Sequence, residues 1–443
     1  VFVVHGAVFT CLGVLTLILL QQQDRPELKP WHRAQLETEF TAKAAARIDT
    51  LDDYLRLEDR LFGELQKAVY GEVTPEDRRA LNRFNGGSLS DPRRQPINWN
   101  RSFVLEAEQP RGGALLLHGM SDSPYSLRAI GQLLHNQGFT VVGLRLPGHG
   151  TAPAGLVELE WQDMAAATRI AARSLQARVG TDAPLLIVGY SNGAALAVEY
   201  SLSAMQGEAL PLPTGLVLVS PAIGVTPVAA LAIWQSRLAR VTGLEKLAWT
   251  DIQPEFDPFK YNSFAVNAGD QVYRLTQRIN TLTATVGQGS KVTGYPPILA
   301  FQSVVDATVA ADALISNLFQ KLAPEGHQLV LFDINRHAES EALLTNDPET
   351  LTQRLLGKEP LGFDLTLVTN KTEETDQVEA RHKAALTATL ETEALGMSWP
   401  RGVYSQSHVS LPFPATDPIY GLERKSKQSI YLGRLELLGE RNI

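Results

Sequence analysis

Residues 185–200 read LLIVGYSNGAALAVEY, and the break in the middle of this stretch decides the fold. An apolar run of strand length ends at Gly189-Tyr190-Ser191-Asn192-Gly193, and an alanine-rich run of helical character follows at once. A serine that is to project its hydroxyl above a sheet needs a sharp strand-to-helix turn. Glycines on either side relieve the crowding which that turn creates. The helix behind the serine supplies free N–H groups and a favourable dipole for developing negative charge. Ser191 is therefore a candidate nucleophile. The plainer alternative, a serine that only caps the helix, leaves the neighbouring motifs unexplained.

Outward from this stretch, short apolar runs alternate with amphipathic ones. Candidate strands are 113–118, 139–146, 184–190, 214–220, 297–302 and 328–334, with helical stretches near 124–137, 161–178, 192–205 and 308–322. Continuously apolar strands are covered on both faces, and their alternation with helices implies a mainly parallel sheet. The alternation breaks twice. Residues 221–295 read as a cap over the C-terminal edge of the sheet, where open α/β sheets bind ligands. In 338–400, FDLTLVTN (363–370) reads as an extra strand and 374–395 as a polar helix.

Two further motifs close strands. LLLHGMSDSPYS (115–126) places His118-Gly119-Met120 between a strand and the next helix, and LRLPGHGTAP (144–153) carries Pro147-Gly148-His149-Gly150. A tetrahedral oxyanion needs two preorganised donors. The N–H after the nucleophile, Asn192, supplies one, and that of Met120 is the natural second. His118 precedes the nucleophile and reads as loop support, and His149 as a turn residue. Together these three motifs resemble the α/β-hydrolase superfamily over residues 105–335. The P-G-H-G form followed by a cap resembles the branch holding monoglyceride lipases, carboxylesterases and serine aminopeptidases.

The resemblance implies a triad in chain order serine, acid, histidine. Asp306 follows the strand PPILAFQ by four residues, where the family places its carboxylate; Asp333 is the fallback, and helix capping is the plainer role for Asp306. Four histidines come later. His327 and His382 read as surface residues, the second within a charge-rich helical stretch. His337 stands at the distance the simple family pattern accepts. His408 lies in GVYSQSHVSLPFPATDPIYG (402–421), too apolar for a free tail and too proline-rich for regular structure, as a loop packed at a site would be. His408 is the preferred base, with His337 the alternative, and 338–400 is then an insertion ahead of the catalytic loop.

The expected activity is cleavage of carboxylic ester or related acyl bonds through an acyl-enzyme, as in a carboxylesterase or monoacylglycerol-type lipase. An inactive binding protein on the same fold, a serine peptidase and an acyltransferase stand as alternatives, since fold alone does not set function. No cofactor is expected: the chain has no G-x-G-x-x-G, Walker loop or H-E-x-x-H, and its single cysteine, Cys11, excludes a thiolate zinc cluster. The expected partner is a small acyl substrate, lipids included. A formal charge of −8 without a Lys/Arg block argues against nucleic acid. With 443 residues, 44% hydrophobic and 20% charged, the chain can bury an ordinary core.

Residues 1–20 carry no charge and just span a hydrocarbon layer of roughly 30 Å, so they read as a transmembrane anchor or signal segment, with an extracytoplasmic soluble part preferred. Residues 21–100 read as a helical extension, with Leu51, Tyr54, Leu55, Leu57, Leu61 and Leu65 at helical spacing, and 101–443 as the hydrolase domain with its cap at about 225–295. Val228, Leu231, Ile233, Trp234, Leu238 and Val241 give the cap helix an apolar face suited to an acyl pocket or to packing.

Overall fold

The computed structural model describes residues 24–224, 245–306, 308–334, 348–372, 374–399, 408, 411–424, 426 and 429–433. The apolar run 1–20, the cap-helix residues 228–241 and His337 lie outside the described residues. Among the described residues no helix is long and apolar enough to cross a membrane.

The six expected core strands form within two residues of their expected ends: β2 (Gly112–Leu117), β3 (Phe139–Leu144), β4 (Leu185–Tyr190), β5 (Gly215–Val219), β8 (Ile298–Ser303) and β9 (Gln328–Asp333). They join β1 (Phe103–Leu105), β10 (Asp364–Asn370), β11 (Gln377–Lys383) and β12 (Glu391–Ser398) in one sheet of order β1-β3-β2-β4-β5-β8-β9-β10-β11-β12. From β3 to β10 every pairing is parallel; β1, β11 and β12 run antiparallel at the two edges. A separate ribbon pairs β6 (Trp249–Asp251) with β7 (Phe264–Ala265).

Successive residues of the central strands enter different clusters, as the two-residue period of a strand requires. Leu115, Leu117, Val142, Ile187 and Leu218 join the main core with helices α1 (Leu51–Ala68), α3 (Trp161–Val179), α4 (Asn192–Met205) and α5 (Val266–Gly287). Ala114, Leu116, Val141, Val188 and Val219 face the other way, onto Leu127 and α2 (Arg128–Asn136). Burial on both faces explains the unbroken apolar runs in the sequence. In the second half of the expected cap, α5 buries Val272, Leu275, Ile279 and Leu282 and packs on α4 as a flanking helix.

The polar stretch 374–395 is not a helix. It forms β11, a turn and the start of β12. Val378, Ala380 and Lys383 are buried along β11 while Gln377 is exposed, and β12 is exposed along nearly all its length. Without an apolar stripe at helical spacing this segment had no helix face to bury, whereas β10 offered an open edge with unpaired N–H and C=O groups. His382 accordingly lies on β11, its Nδ1 3.0 Å from Thr366 Oγ1 on the neighbouring strand. The His382 side chain is 40% exposed, as a surface residue's is, whereas His327, just before β9, is 1% exposed beside Tyr295.

In the N-terminal extension, Thr50 caps α1 by accepting from Asp53 N–H, and Leu51, Tyr54, Leu57, Leu61 and Leu65 are buried. The extension is fastened to the sheet at the end of β3. Arg145, fully buried, donates to both carboxylate oxygens of Glu39 at 2.9 and 3.1 Å and lies 3.6 Å from Glu58 of α1.

Candidate active site

Ser191 stands between β4 and α4 with φ 54° and ψ −117°, a left-handed conformation that is costly for a residue with a side chain. The surroundings hold it there: Ser191 N–H donates to Val219 O on β5, and Ser191 O accepts from the N–H groups of Ala194, Ala195 and Ala222. The two glycines of the motif are needed for space. A Cβ at Gly193 would collide with Leu117 O, and one at Gly189 with the backbone of Ala194.

Asp306 stands three residues beyond β8. Its Oδ1 accepts from Thr308 N–H and Val309 N–H at 2.9 and 2.8 Å, so the capping role is real. Its Oδ2 faces elsewhere, 3.0 Å from His408 Nδ1. The opposite ring nitrogen, Nε2, lies 3.0 Å from Ser191 Oγ. Since a carboxylate only accepts, Nδ1 carries the imidazole proton and Nε2 is left to accept from the serine hydroxyl. Residues 191, 306 and 408 thus form one hydrogen-bonded chain, and all three are buried. Tyr190, directly before the serine, donates through its hydroxyl to His408 O at 3.2 Å and so ties the C-terminal segment to the end of β4.

The other sequence candidates fall into place around this chain. Asp333 is buried at the end of β9 and is not the partner of His408. His327 sits at the opposite end of β9, a strand length of about 20 Å away. His118 Nε2 accepts from Leu146 N–H, which leaves Nδ1–H to donate to Gly119 O at 2.8 Å. A peptide's C=O and N–H point in opposite directions, so anchoring Gly119 O turns the Met120 N–H away from His118. Gly119 itself lies against Ser191, where an added Cβ would stand 3.1 Å from the serine Cβ. Asn192 opens α4, and neither its N–H nor that of Met120 has an acceptor among the described residues. Burial holds both His118 and His149 in the neutral form, the latter with its pKa pushed down to about 4. His149 Nδ1 donates to Pro147 O, the turn role expected of it.

One residue of this neighbourhood carried no motif. Gln302, on β8, donates through Nε2 to Asp306 Oδ2 at 2.9 Å. A glutamine inside an otherwise apolar buried strand is the one signal that could have drawn attention to it. A cavity of about 670 Å³ lies between residues 28–41, the loop after β3 and Trp249, and none of Ser191, Asp306 and His408 lines it. Among the described residues no group of three or more His, Cys, Asp or Glu is placed to hold a metal ion.

The fold and the strand-to-helix serine define a class, and the family comparison agrees. The model of the α/β-hydrolase family matches residues 114–351, just over half of the chain, and the chain belongs to that family. The matched region contains Ser191 and Asp306 and ends before His408. No curated protein matches the chain. Among solved structures, it is similar to that reported for LipS and LipT, two metagenome-derived lipolytic enzymes, at 21% identity over 54% of this chain and 89% of the other, with a TM-score of 0.40. A monoacylglycerol lipase from Paleococcus ferrophilus shares 21% identity over 52% and 88%, with a TM-score of 0.39. A soluble variant of monoglyceride lipase from Saccharomyces cerevisiae, solved with a substrate analogue, shares 15% over 52% and 81%, with a TM-score of 0.40.

Proposed function

We propose that this protein is a serine hydrolase that cleaves carboxylic esters, of the carboxylesterase or monoacylglycerol-lipase kind, with Ser191 as nucleophile, His408 as base and Asp306 as the acid that orients it. The observation that carries this reading is the Ser191 Oγ–His408 Nε2 and His408 Nδ1–Asp306 Oδ2 pair of contacts, each 3.0 Å, drawn from three distant parts of the chain. His408 Nε2 takes the hydroxyl proton as Ser191 Oγ attacks the ester carbonyl carbon. The oxyanion receives the N–H groups of Met120 and Asn192, and the dipole of α4 adds to them. His408 returns the proton to the departing alkoxide. A water, deprotonated by His408 in the same way, then attacks the acyl-serine, and His408 passes that proton to Ser191 Oγ as the acid is released. Asp306 stays ionised and stabilises the imidazolium formed in each half. The proposal includes a membrane location through residues 1–20, checked by fractionating the full chain with and without detergent.

Fluorophosphonate labelling of the full chain tests the chemistry. The wild type is expected to label on Ser191, Ser191→Ala not at all, and His408→Ala on the order of 10⁶ times more slowly, with a matching fall in ester turnover. A folded wild type that does not label, or a His408→Ala variant that labels at the wild-type rate, overturns the reading.

A further inference from the structure

The hydrogen bonds around Asp306 include one from a side chain outside the triad. Gln302 is fully buried on β8, and its Nε2 faces three acceptors: Asp306 Oδ2 at 2.9 Å, Val309 O at 2.9 Å and Ser303 O at 3.3 Å. This settles which way the amide points, because rotating it would set Oε1 against a carboxylate and a carbonyl. The same orientation leaves Oε1 buried with no partner among the described residues. An apolar side chain of similar size would remove that orphaned oxygen but would take a donor from the Asp306 carboxylate and from Val309 O, so the glutamine answers to the acid and its turn at the cost of one buried acceptor.

We propose that Gln302 is a positioning residue for the triad acid: it holds Asp306 Oδ2 in line with His408 Nδ1 and keeps the proton of that bond on the imidazole. The inference rests on the reading of Ser191, Asp306 and His408 as a triad. Asp306 Oδ2 receives two donors, His408 Nδ1–H from one side and Gln302 Nε2–H from the other. Oδ1 is occupied by Thr308 and Val309 N–H. The carboxylate is therefore clamped at both oxygens, and each donor stabilises its charge. Gln302 also bonds Val309 O, so the turn that carries Asp306 is fixed to the strand that precedes it. A glutamine suits the task because its NH₂ has two hydrogens for the two nearer acceptors, Asp306 Oδ2 and Val309 O, and never titrates.

The test compares Gln302→Leu and Gln302→Glu with the wild type, each checked for folding by its melting temperature. Gln302→Leu is expected to lower kcat about tenfold with KM unchanged within about twofold. In Gln302→Glu, a protonated glutamic acid donates to Asp306 as glutamine did. Once ionised, it adds a second negative charge beside the imidazole, and the acid limb of kcat/KM moves up by about half a pH unit or more. Histidine ring resonances, with His408→Ala to assign them, read the His408–Asp306 bond without turnover; the Nδ1–H signal is expected to shift in both variants. That readout decides on Gln302 even in a protein that hydrolyses nothing, so failure of the hydrolase reading is distinguishable from failure of this one. Variants that keep the wild-type kcat, pH profile and Nδ1–H signal overturn the proposal. So does a loss of activity that merely tracks the melting temperature while profile and signal stay unchanged.

Discussion

At the scale of residues, strain at the site and buried ionisable groups elsewhere are held in place by the surrounding backbone. Ser191 keeps a positive φ only because its N–H and C=O are both engaged. Glu255 is a second case: fully buried, it accepts from Asn262 N–H and Ser263 N–H, yet burial pushes its pKa up to about 7. In the unfolded chain it ionises near pH 4.3. Between those values the folded state holds a proton that the unfolded state has lost. Its contribution to stability is therefore greatest at the acid end of the window and falls as pH rises to about 7, then levels off. Urea denaturation is expected to show this as a wild-type stability that falls by about 3 kcal/mol more between pH 4.5 and 8 than that of Glu255→Gln. The variant is less stable at low pH, because its NH₂ replaces one acceptor oxygen. Identical pH dependence in the two proteins would remove Glu255 as the source.

At the scale of elements, the three strands β10 to β12 extend the sheet beyond β9 and carry the chain on toward His408. Besides packing, a buried lysine ties them to α6 (Pro348–Leu356). Lys383, at the end of β11 and 1% exposed, donates through Nζ to Leu355 O, Gly357 O and Glu359 O at 2.9, 2.6 and 2.7 Å. A lysine at a helix C-terminus satisfies carbonyls that have no partner within the helix and favours the negative end of its dipole. Lys383→Met leaves three carbonyls without that donor and is expected to cost about 2–4 kcal/mol in urea denaturation, with faster proteolysis around residues 356–363. Lys383 lies outside the Ser191–His408–Asp306 chain, so the folded variant should keep Ser191 labelling. Unchanged stability would show that the three contacts are replaced by water.

At the scale of the whole molecule, the N-terminal extension and the sheet share their buried charges. Arg145 belongs to the sheet side and Glu39 and Glu58 to the extension, and Glu39 also accepts from Gly148 N–H in the loop that closes β3. That loop reaches the turn after β2 through Leu146 N–H, His118 and Gly119 O. Removing one partner of a buried ion pair strands the others. Arg145→Met is therefore expected to lose about 3–5 kcal/mol in chemical denaturation. If the extension were a separable appendage, the loss would be small and labelling of Ser191 would be untouched.

Most of the sheet could be read from the chain, because strands covered on both faces must be apolar throughout, and that signal is local. The same holds for Ser191, whose glycines answer a steric demand within five residues. Asp306 was legible as an acid closing a strand, and His408 as a histidine in a loop too apolar to be free. Which histidine reaches the acid is a matter of convergence over a hundred residues, and only tertiary structure brings His408 within 3.0 Å of Asp306. The strands β11 and β12 were illegible for a related reason. A polar strand on a sheet edge is stabilised by its neighbour's open hydrogen-bonding groups, not by a pattern of its own. Gln302, Lys383 and Arg145 belong to the same class: each is an ordinary polar residue in the sequence, and its partners lie on other elements or in turns whose shape the chain does not spell out. The sequence alone determined the residues that local backbone and solvent demand; the fold decided which distant groups meet, since hydrogen bonds and ion pairs depend on distance in space and leave no period in the chain.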